Sequence, residues 1–446
     1  MLIVEELAAQ PEASVPQACG DWAATKAAYR FWDNPRVQPE DIISAHQHYA
    51  KERLQGHRVI LAIQDTTGLS FGHHGSKTPD TGFGPISAHK HSMGLKVHTV
   101  LAASSEGVPL GVLEQQVQAR KKRKRKRKGK ARKHPRPLGQ KESKRWLSSL
   151  VATELSTPEE CTVVTVADAE ADIYELFALE RDENSHLLIR ATHNRRVTHP
   201  NRYLKDAIAQ SEPAGALTVE VRAKDGQVQR QAHLSIRFRQ LEVLPPSNRP
   251  KSAQLQPVKV SVIWAQEQSP PEGCAPISWL LLSTLSVTTL DAALSCVRWY
   301  TYRWLIERFH FTLKSGCHIE KLQLERAERI KRALATYTIV AWRLLWLTYE
   351  ARVNPQQSCE IALETHEWQA LCCHIHQCSL PPSTPPSLAQ AIFWIARLGG
   401  FLGRNGDGLP GVKTIWRGLR RLHDIASTWK LLCPLPPLAP SFATCG

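Results

Sequence analysis

Tyr300, Arg303, Glu307 and Lys314 stand at successive spacings of three, four and seven residues. At ~100° per helical residue they fall in a stripe roughly 60° wide, so one helix presents a phenol, two cations and a single carboxylate in line. Such a stripe suits a metal ion beside a phosphate backbone, and it is also what an ordinary solvated helix face looks like. Leu305, Phe309 and Leu313 occupy the opposite face at i, i+4 and i+8, which buries the helix and aims the stripe into a cleft. Two more carboxylates, Asp65 and Asp168, each follow an apolar run, Val59 to Gln64 and Cys161 to Ala167, that reads as a buried strand. An open α/β sheet holds its ligands at the carboxyl ends of its strands, although a strand-terminal Asp also serves as a helix cap or turn former. Asp65, Asp168 and Glu307 are hard oxygen donors, sparse enough to leave room for water and substrate phosphate, which suits Mg2+ or Mn2+ rather than zinc. Two such ions can activate an attacking oxygen and stabilise a leaving one in an in-line phosphoryl transfer.

The elements that must position these residues are legible as patterns. The first 50 residues read as helical, with Ala23 to Trp32 apolar-periodic and stopped by Asn34-Pro35, and with a new start at Gln38-Pro39-Glu40. Gly94 to Ala103 and Val108 to Val117, joined by Ser104-Ser105-Glu106-Gly107, predict two strands that form a meander with Val59 to Gln64. Lys141 to Leu155 predicts an amphipathic helix. The strand Cys161 to Ala167, a helix from Ile173 to Glu180 and the strand Leu187 to Ala191 give β-α-β alternation and a parallel segment. From Leu217 to Trp264 the period becomes two, with Leu234, Ile236, Phe238 and Val258, Val260, Val262 alternating with polar residues, which predicts a separate antiparallel unit. Trp279 to Ser283 returns to a buried strand before the helix that carries the stripe. Beyond Glu350 the chain is mainly helical and ends in a Pro-rich, irregular tail.

Length and composition bound the answer. A chain of 446 residues is long enough for a sizeable core. Its formal charge of +16 is local, because Arg120 to Arg136 holds 13 Lys and Arg in 17 residues. Such a block cannot pack; it is a polyanion attachment, nucleic acid above all, or a solvated loop that does little. Eleven scattered cysteines do not form a secreted disulfide framework and point to a reducing cytoplasm. Cys372, Cys373, His374, His376 and Cys378 are too crowded for tetrahedral zinc and read as a helix with incidental thiols. Met1 to Glu6 lacks the cationic start of a signal peptide, and the apolar stretch Thr338 to Tyr349 is interrupted by Arg343 and too short to span a bilayer. No membrane partner is expected.

Ile63-Gln64-Asp65-Thr66-Thr67, Val166-Ala167-Asp168-Ala169-Glu170-Ala171-Asp172 and Tyr300-x2-Arg303-x3-Glu307-x6-Lys314 resemble the three catalytic motifs of DDE transposases of the insertion-sequence-four family, which includes the transposase of transposon Tn-five. Lys141 to Leu147, Trp279 to Leu282 and Ile395 to Phe401 match in the same order, so the resemblance covers nearly the whole chain. It implies an α/β fold: an RNase H-like mixed sheet flanked by helices, with an inserted antiparallel β subdomain and helical N- and C-terminal regions. The implied domains are an N-terminal DNA-binding region over 1–50, a catalytic core over 51–190 and 277–350 with a basic loop at 119–137, a β insertion over 191–276, and a dimerisation region over 351–446.

The resemblance further implies that Asp65, Asp168 and Glu307 form the catalytic, metal-binding triad for Mg2+ or Mn2+, as two ions. Tyr300, Arg303 and Lys314 would grip phosphates near a transposon end, which their donors can do without reading sequence. Trp279 would stack on a flipped base while the cut end forms a hairpin; apart from the resemblance it also reads as a core tryptophan. Asp172 reads as a cap for the following helix. The implied reaction is cut-and-paste transposition by a homodimer acting on double-stranded DNA, both transposon ends and target, in a bacterial cytoplasm on the nucleoid. The chain starts near the family's Pro-x-Ala-Ser-x-Pro-x-Ala-Cys stretch, here Pro11 to Cys19, so an N-terminal helix that helps grip the end is expected to be shortened. Two other readings stand beside this one: a metal-dependent nuclease or resolvase on the same core, and a truncated DNA-binding inhibitor of transposition.

Overall fold

The computed structural model describes residues 2–72, 81–86, 92–120, 143–221, 230–247 and 255–432. The basic block beyond Arg120 and the Pro-rich tail, both singled out in the sequence, lie outside the described residues. By internal contacts the chain divides into two units, one of Met1–Val37, Phe311–Leu322 and Arg332–Gly446, the other of Gln38–His310 with Gln323–Lys331.

The chain opens with α1 (Leu2–Ala9), α2 (Val15–Cys19) and α3 (Trp22–Asp33). Asp21 caps α3 by accepting the Ala24 N–H at 2.7 Å, and the helix stops before Pro35 as the sequence predicts. The second unit begins with α4 (Pro39–Leu54), which starts on a proline at its first position and turns Ile43, His46, Ala50 and Leu54 inward. Then come β1 (Val59–Ser70), β2 (Gly84–Pro85), β3 (Met93–Ser104), β4 (Pro109–Gln118), α5 (Lys144–Ser156), β5 (Thr162–Ala167), α6 (Tyr174–Phe177), β6 (Ser185–Arg190), α7 (Leu204–Ala209), β7 (Gly215–Val221), β8 (Arg230–Val243), β9 (Val258–Glu267) and β10 (Ser278–Ser283).

These ten strands form one mixed sheet in the order β2-β3-β1-β5-β6-β10-β9-β8-β7, with β4 on β3. Apolar β1 and β5 run parallel at its centre, and β5 runs parallel to β6, as the β-α-β reading requires. The period-two stretch is antiparallel as expected, yet it is not detached. Strand β10 pairs antiparallel with both β6 and β9, so β7 to β9 extend the same sheet. A second difference concerns β1, which continues past Asp65 to Ser70. Its β5 partner ends at Ala167, opposite Gln64, but β3 goes on pairing with it as far as Ser70 opposite Gly94. The helix expected over Ile173 to Glu180 is reduced to the single turn of α6.

Helix α4 lies on β4 so closely that a Cβ on Gly111 would come within 2.5 Å of the Ala50 side chain. There the buried His46 accepts the Val112 N–H at Nε2, 3.0 Å away, and so must be neutral. Burial, reinforced by Arg53, lowers its pKa to about 3. A depressed histidine pKa means that the unfolded chain takes up a proton near its ordinary pKa while the folded chain does not. Stability is therefore lost as pH falls from about 6.5 toward 3, at about 1.4 kcal/mol per pH unit from this residue. Urea unfolding at pH 7 and pH 5 should show a loss of about 2 kcal/mol that His46→Gln removes; an identical loss in the variant would assign the acid sensitivity elsewhere.

The chain continues into α8 (Leu290–Thr301), α9 (Trp304–Phe311), a π-helical turn over Thr312–Gly316, α10 (Ala327–Val353), α11 (Thr365–His376), α12 (Leu388–Leu398) and α13 (Val412–Leu432). In the first unit, Trp32 of α3 is fully buried against Tyr337 and donates from Nε1 to Thr336 Oγ1 at 3.2 Å, tying the N-terminal helices to α10. Helices α12 and α13 cross backbone to backbone. A Cβ on Gly399 would lie 1.8 Å from the Thr414 carbonyl oxygen, and one on Gly418 1.8 Å from that of Ile395. The crowded thiols Cys372 and Cys373 face inward on α11. No described helix is long and apolar enough to cross a membrane.

Candidate active site

Strand register brings the two aspartates to the same end of neighbouring parallel strands. Ile63 lies opposite Val166 and Gln64 opposite Ala167, the last partnered residues, and Asp65 and Asp168 each come next in the chain. Asp65 continues along β1, whereas Asp168 has left β5 and opens a 3-10 turn.

Each carboxylate has local tethers. Asp65 accepts the Thr66 N–H at Oδ1, 2.7 Å away, and its Oδ2 lies 3.7 Å from His310 Nδ1. Burial works to raise the Asp65 pKa, but His310, the Thr66 N–H and Arg303 outweigh it and hold the carboxyl below its ordinary value. Asp65 is thus ionised at neutral pH. Asp168 accepts the Glu170 N–H at 2.8 Å and caps the 3-10 turn Ala169–Ala171, which is the capping role that the sequence left open. Behind the pair, Thr66 Oγ1 meets His98 Nδ1 at 2.8 Å, and the His98 ring packs edge-on against Trp146. Burial, aided by the nearby Arg145, brings His98 to a pKa of about 3, although Asp65 opposes the shift.

The predicted stripe does not lie on one regular helix. At the end of α8, the Tyr302 and Arg303 N–H groups reach back three residues to Trp299 and Tyr300, and Leu305 does the same to Tyr302, so the α-helical ladder is interrupted before α9. After Phe311 the Cys317 N–H reaches back five residues to Thr312, the bond of a π turn. Tyr300 therefore ends α8, Arg303 sits in the break, Glu307 is on α9 and Lys314 is in the π turn, which belongs to the first unit. The apolar face is as expected, with Leu305, Phe309 and Leu313 all buried.

Glu307 and Arg303 form an ion pair at 2.5 Å. Tyr300 is buried rather than displayed, at 4 % exposure. Burial raises the pKa of its phenol and Asp168 adds to the effect, while Arg303 and Arg190 beside it oppose the rise. Trp279, half-buried on β10, packs edge-on against the Tyr300 ring with centroids 5.4 Å apart. Asp168, Arg190, Tyr300, Arg303, Glu307 and Trp279 are thereby linked in one cluster. Arg190 and His310 were missed by sequence reasoning. Both had signals, since Arg190 ends a parallel strand beside that of Asp168, and His310 follows Glu307 by three residues on the same helical face.

Asp172 is not a cap. Its buried carboxylate accepts N–H groups of Thr192 and His193 and pairs with Arg195, so it anchors the loop that leaves β6.

Among the described residues, no three His, Cys, Asp or Glu side chains converge as a ready metal cage. The donor chemistry nevertheless fits Mg2+ or Mn2+: Asp65, held ionised, Asp168 just past the paired end of the adjacent strand, and Glu307, whose carboxylate is paired with Arg303, are all hard oxygen donors.

A mixed sheet flanked by helices, with an acidic residue directly after the last partnered residue of each central parallel strand, is an RNase H-like architecture. Three family models match in chain order: transposase DNA-binding over residues 1–37, the transposase DDE domain over 80–343, and the transposase Tn5 dimerisation domain over 339–428. The DDE match spans more than half the chain, which belongs to the transposase DDE domain family. Its Tn5-like organisation fits the insertion-sequence-four resemblance of its motifs. The protein is thus a transposase that acts in DNA transposition, with DNA-binding and dimerisation regions. Asp65 precedes the span matched by the DDE model.

Proposed function

We propose that this transposase moves an insertion sequence by cut-and-paste, using Asp65, Asp168 and Glu307 to hold Mg2+ or Mn2+, as two ions. The observation that carries this reading is that Asp65 and Asp168 each directly follow the last partnered residues, Gln64 and Ala167, of neighbouring parallel strands. When bound, the ions would supply charge stabilisation for the attacking and leaving oxygens of an in-line displacement. The chain's own groups do the rest. Arg303, Arg190 and Tyr300 offer donors for the phosphates flanking the scissile bond, and Lys314 offers another cation seven residues beyond Glu307. A phosphate that draws the Arg303 guanidinium away frees Glu307, so loading of DNA and completion of the ligand set are linked.

The order of events is water attack at the transposon end, attack of the released 3′ hydroxyl on the opposite strand to form a hairpin, opening by a second water, and joining of that hydroxyl to target DNA. Trp279 stacks on a base displaced at the hairpin, its ring already edged against Tyr300. The working species is a homodimer on paired ends, in a bacterial cytoplasm on the nucleoid. Residues 1–50 bind DNA, 51–190 and 277–350 form the core, 191–276 the insertion and 351–446 the dimer contact.

Denaturing gels of end-labelled transposon DNA incubated with Mg2+ should show a slow hairpin species. Trp279→Ala should reduce it at least about fivefold, the scale of one lost base stack, while initial nicking persists. Linear products with no hairpin at any time would remove this step.

A further inference from the structure

Beyond the triad, the face that α9 turns to the sheet carries a second group directed at the same carboxylate. His310 follows Glu307 by three residues, one helical turn on, and its side chain is almost wholly buried. The two oxygens of Asp65 are addressed separately. Oδ1 is fixed by the Thr66 N–H at 2.7 Å, while Oδ2 faces His310 Nδ1 at 3.7 Å. That gap is a few tenths of an ångström beyond hydrogen-bond range, and active-site hydrogen bonds commonly tighten on loading. The far ring nitrogen, Nε2, is buried with no hydrogen-bond partner among the described residues. Burying an imidazole with one nitrogen unpaired costs stability, and a hydrogen bond from the other nitrogen is the compensation available to it.

We propose that His310 is a positioning residue. It donates from Nδ1 to Asp65 Oδ2 and sets the orientation in which that carboxylate receives a divalent cation. This rests on the assignment of Asp65 as a metal ligand. Glu307 and His310 would then couple the two sides of the site, since one rigid turn of α9 carries a ligand and the group that aims another ligand.

The test uses the full chain and the side-chain amides that mimic each ring nitrogen. Asn at position 310 places its Nδ2 near the position of Nδ1, whereas Gln reaches the region of Nε2. Mn2+ affinity in the absence of DNA is read from the electron paramagnetic resonance signal of free Mn2+, alongside the Mg2+ dependence of end cleavage and the thermal midpoint. His310→Gln should weaken Mn2+ binding and raise the half-saturating Mg2+ concentration by about 10- to 100-fold, the usual scale for the partner of a metal ligand, with a smaller change in the rate at saturating Mg2+. His310→Asn should stay within about threefold of wild type on both readouts. Both variants put an amide in the same cavity, so a loss of folding common to the two would leave no Asn–Gln difference and would contradict the proposal. Asp65→Asn is the reference. If it weakens Mn2+ binding while His310→Gln does not, the positioning role is overturned and the ligand assignment stands. If Asp65→Asn leaves Mn2+ binding unchanged, both are overturned.

Discussion

Asp65→Asn, Asp168→Asn and Glu307→Gln should each lower end cleavage by about a thousandfold or more while transposon-end DNA is still bound. The magnitude follows from the chemistry. In the proposed mechanism the three carboxylates hold the ions that stabilise the transition state, and several kcal/mol at about 1.4 kcal/mol per decade amounts to three decades or more. Each substitution removes one negative charge and little volume, so Arg190, Arg303 and Tyr300 keep their places. Glu307→Gln also loosens the ion pair with Arg303, 2.5 Å long in the wild type, so binding should be unchanged or slightly tighter as that guanidinium becomes available to phosphate. Asp168→Asn retains a side-chain oxygen for the Glu170 N–H that Asp168 caps. Thermal midpoints should therefore move little. A cleavage assay with a gel-shift control checks all three, and full cleavage by any one of them would remove that residue from the triad.

Asp172→Ala should do the reverse, costing about 3–5 kcal/mol of stability through the buried charge it strands. Asp172 lies only four residues beyond Asp168, yet its carboxylate is wholly buried and accepts from the Thr192 N–H at 2.7 Å, the His193 N–H at 2.9 Å and Arg195 Nε at 3.1 Å. Arg195 is itself buried and packs its guanidinium over the rings of Tyr174 and Phe177. Truncating the aspartate leaves that cation and two backbone donors unpaired, whereas Asp172→Asn keeps acceptors and should cost less. Urea denaturation distinguishes the two variants. Because the loop they anchor follows Arg190 directly, any cleavage defect in Asp172→Asn should appear as weaker end binding rather than as a slower chemical step.

The contrast between these aspartates shows what the sequence could carry. The placement of Asp65 and Asp168 was legible because each follows an apolar strand run, and the register of those parallel strands brings the runs to the same end of the sheet. Asp172 looked like a cap because capping is local, while its partners Thr192, His193 and Arg195 lie some twenty residues away across β6. The stripe from Tyr300 to Lys314 was wrong in its regularity. A helical wheel assumes one ladder of bonds, but the chain tightens at Tyr302-Arg303 and widens after Phe311, which no residue-type pattern marks. The antiparallel stretch was legible by its period of two, but not its attachment, because β10, which joins it to β6, lies far from β6 in sequence. His310 stayed hidden for a related reason. Its partner Asp65 is more than two hundred residues away, and only the packing of α9 on β1 reveals the pairing.

Strand joining with precut ends separates a transposase from a nuclease on the same core. Transposon-end duplexes with a free 3′ hydroxyl are incubated with supercoiled target DNA and Mg2+, using wild type and the three triad variants. Wild type should give joined products, none should form without a divalent cation, and each variant should lose about a thousandfold or more. Cleavage of uncut ends by wild type without any joining would make the protein a nuclease on the same core, and joining by Asp65→Asn, Asp168→Asn or Glu307→Gln at the wild-type rate would contradict the site itself.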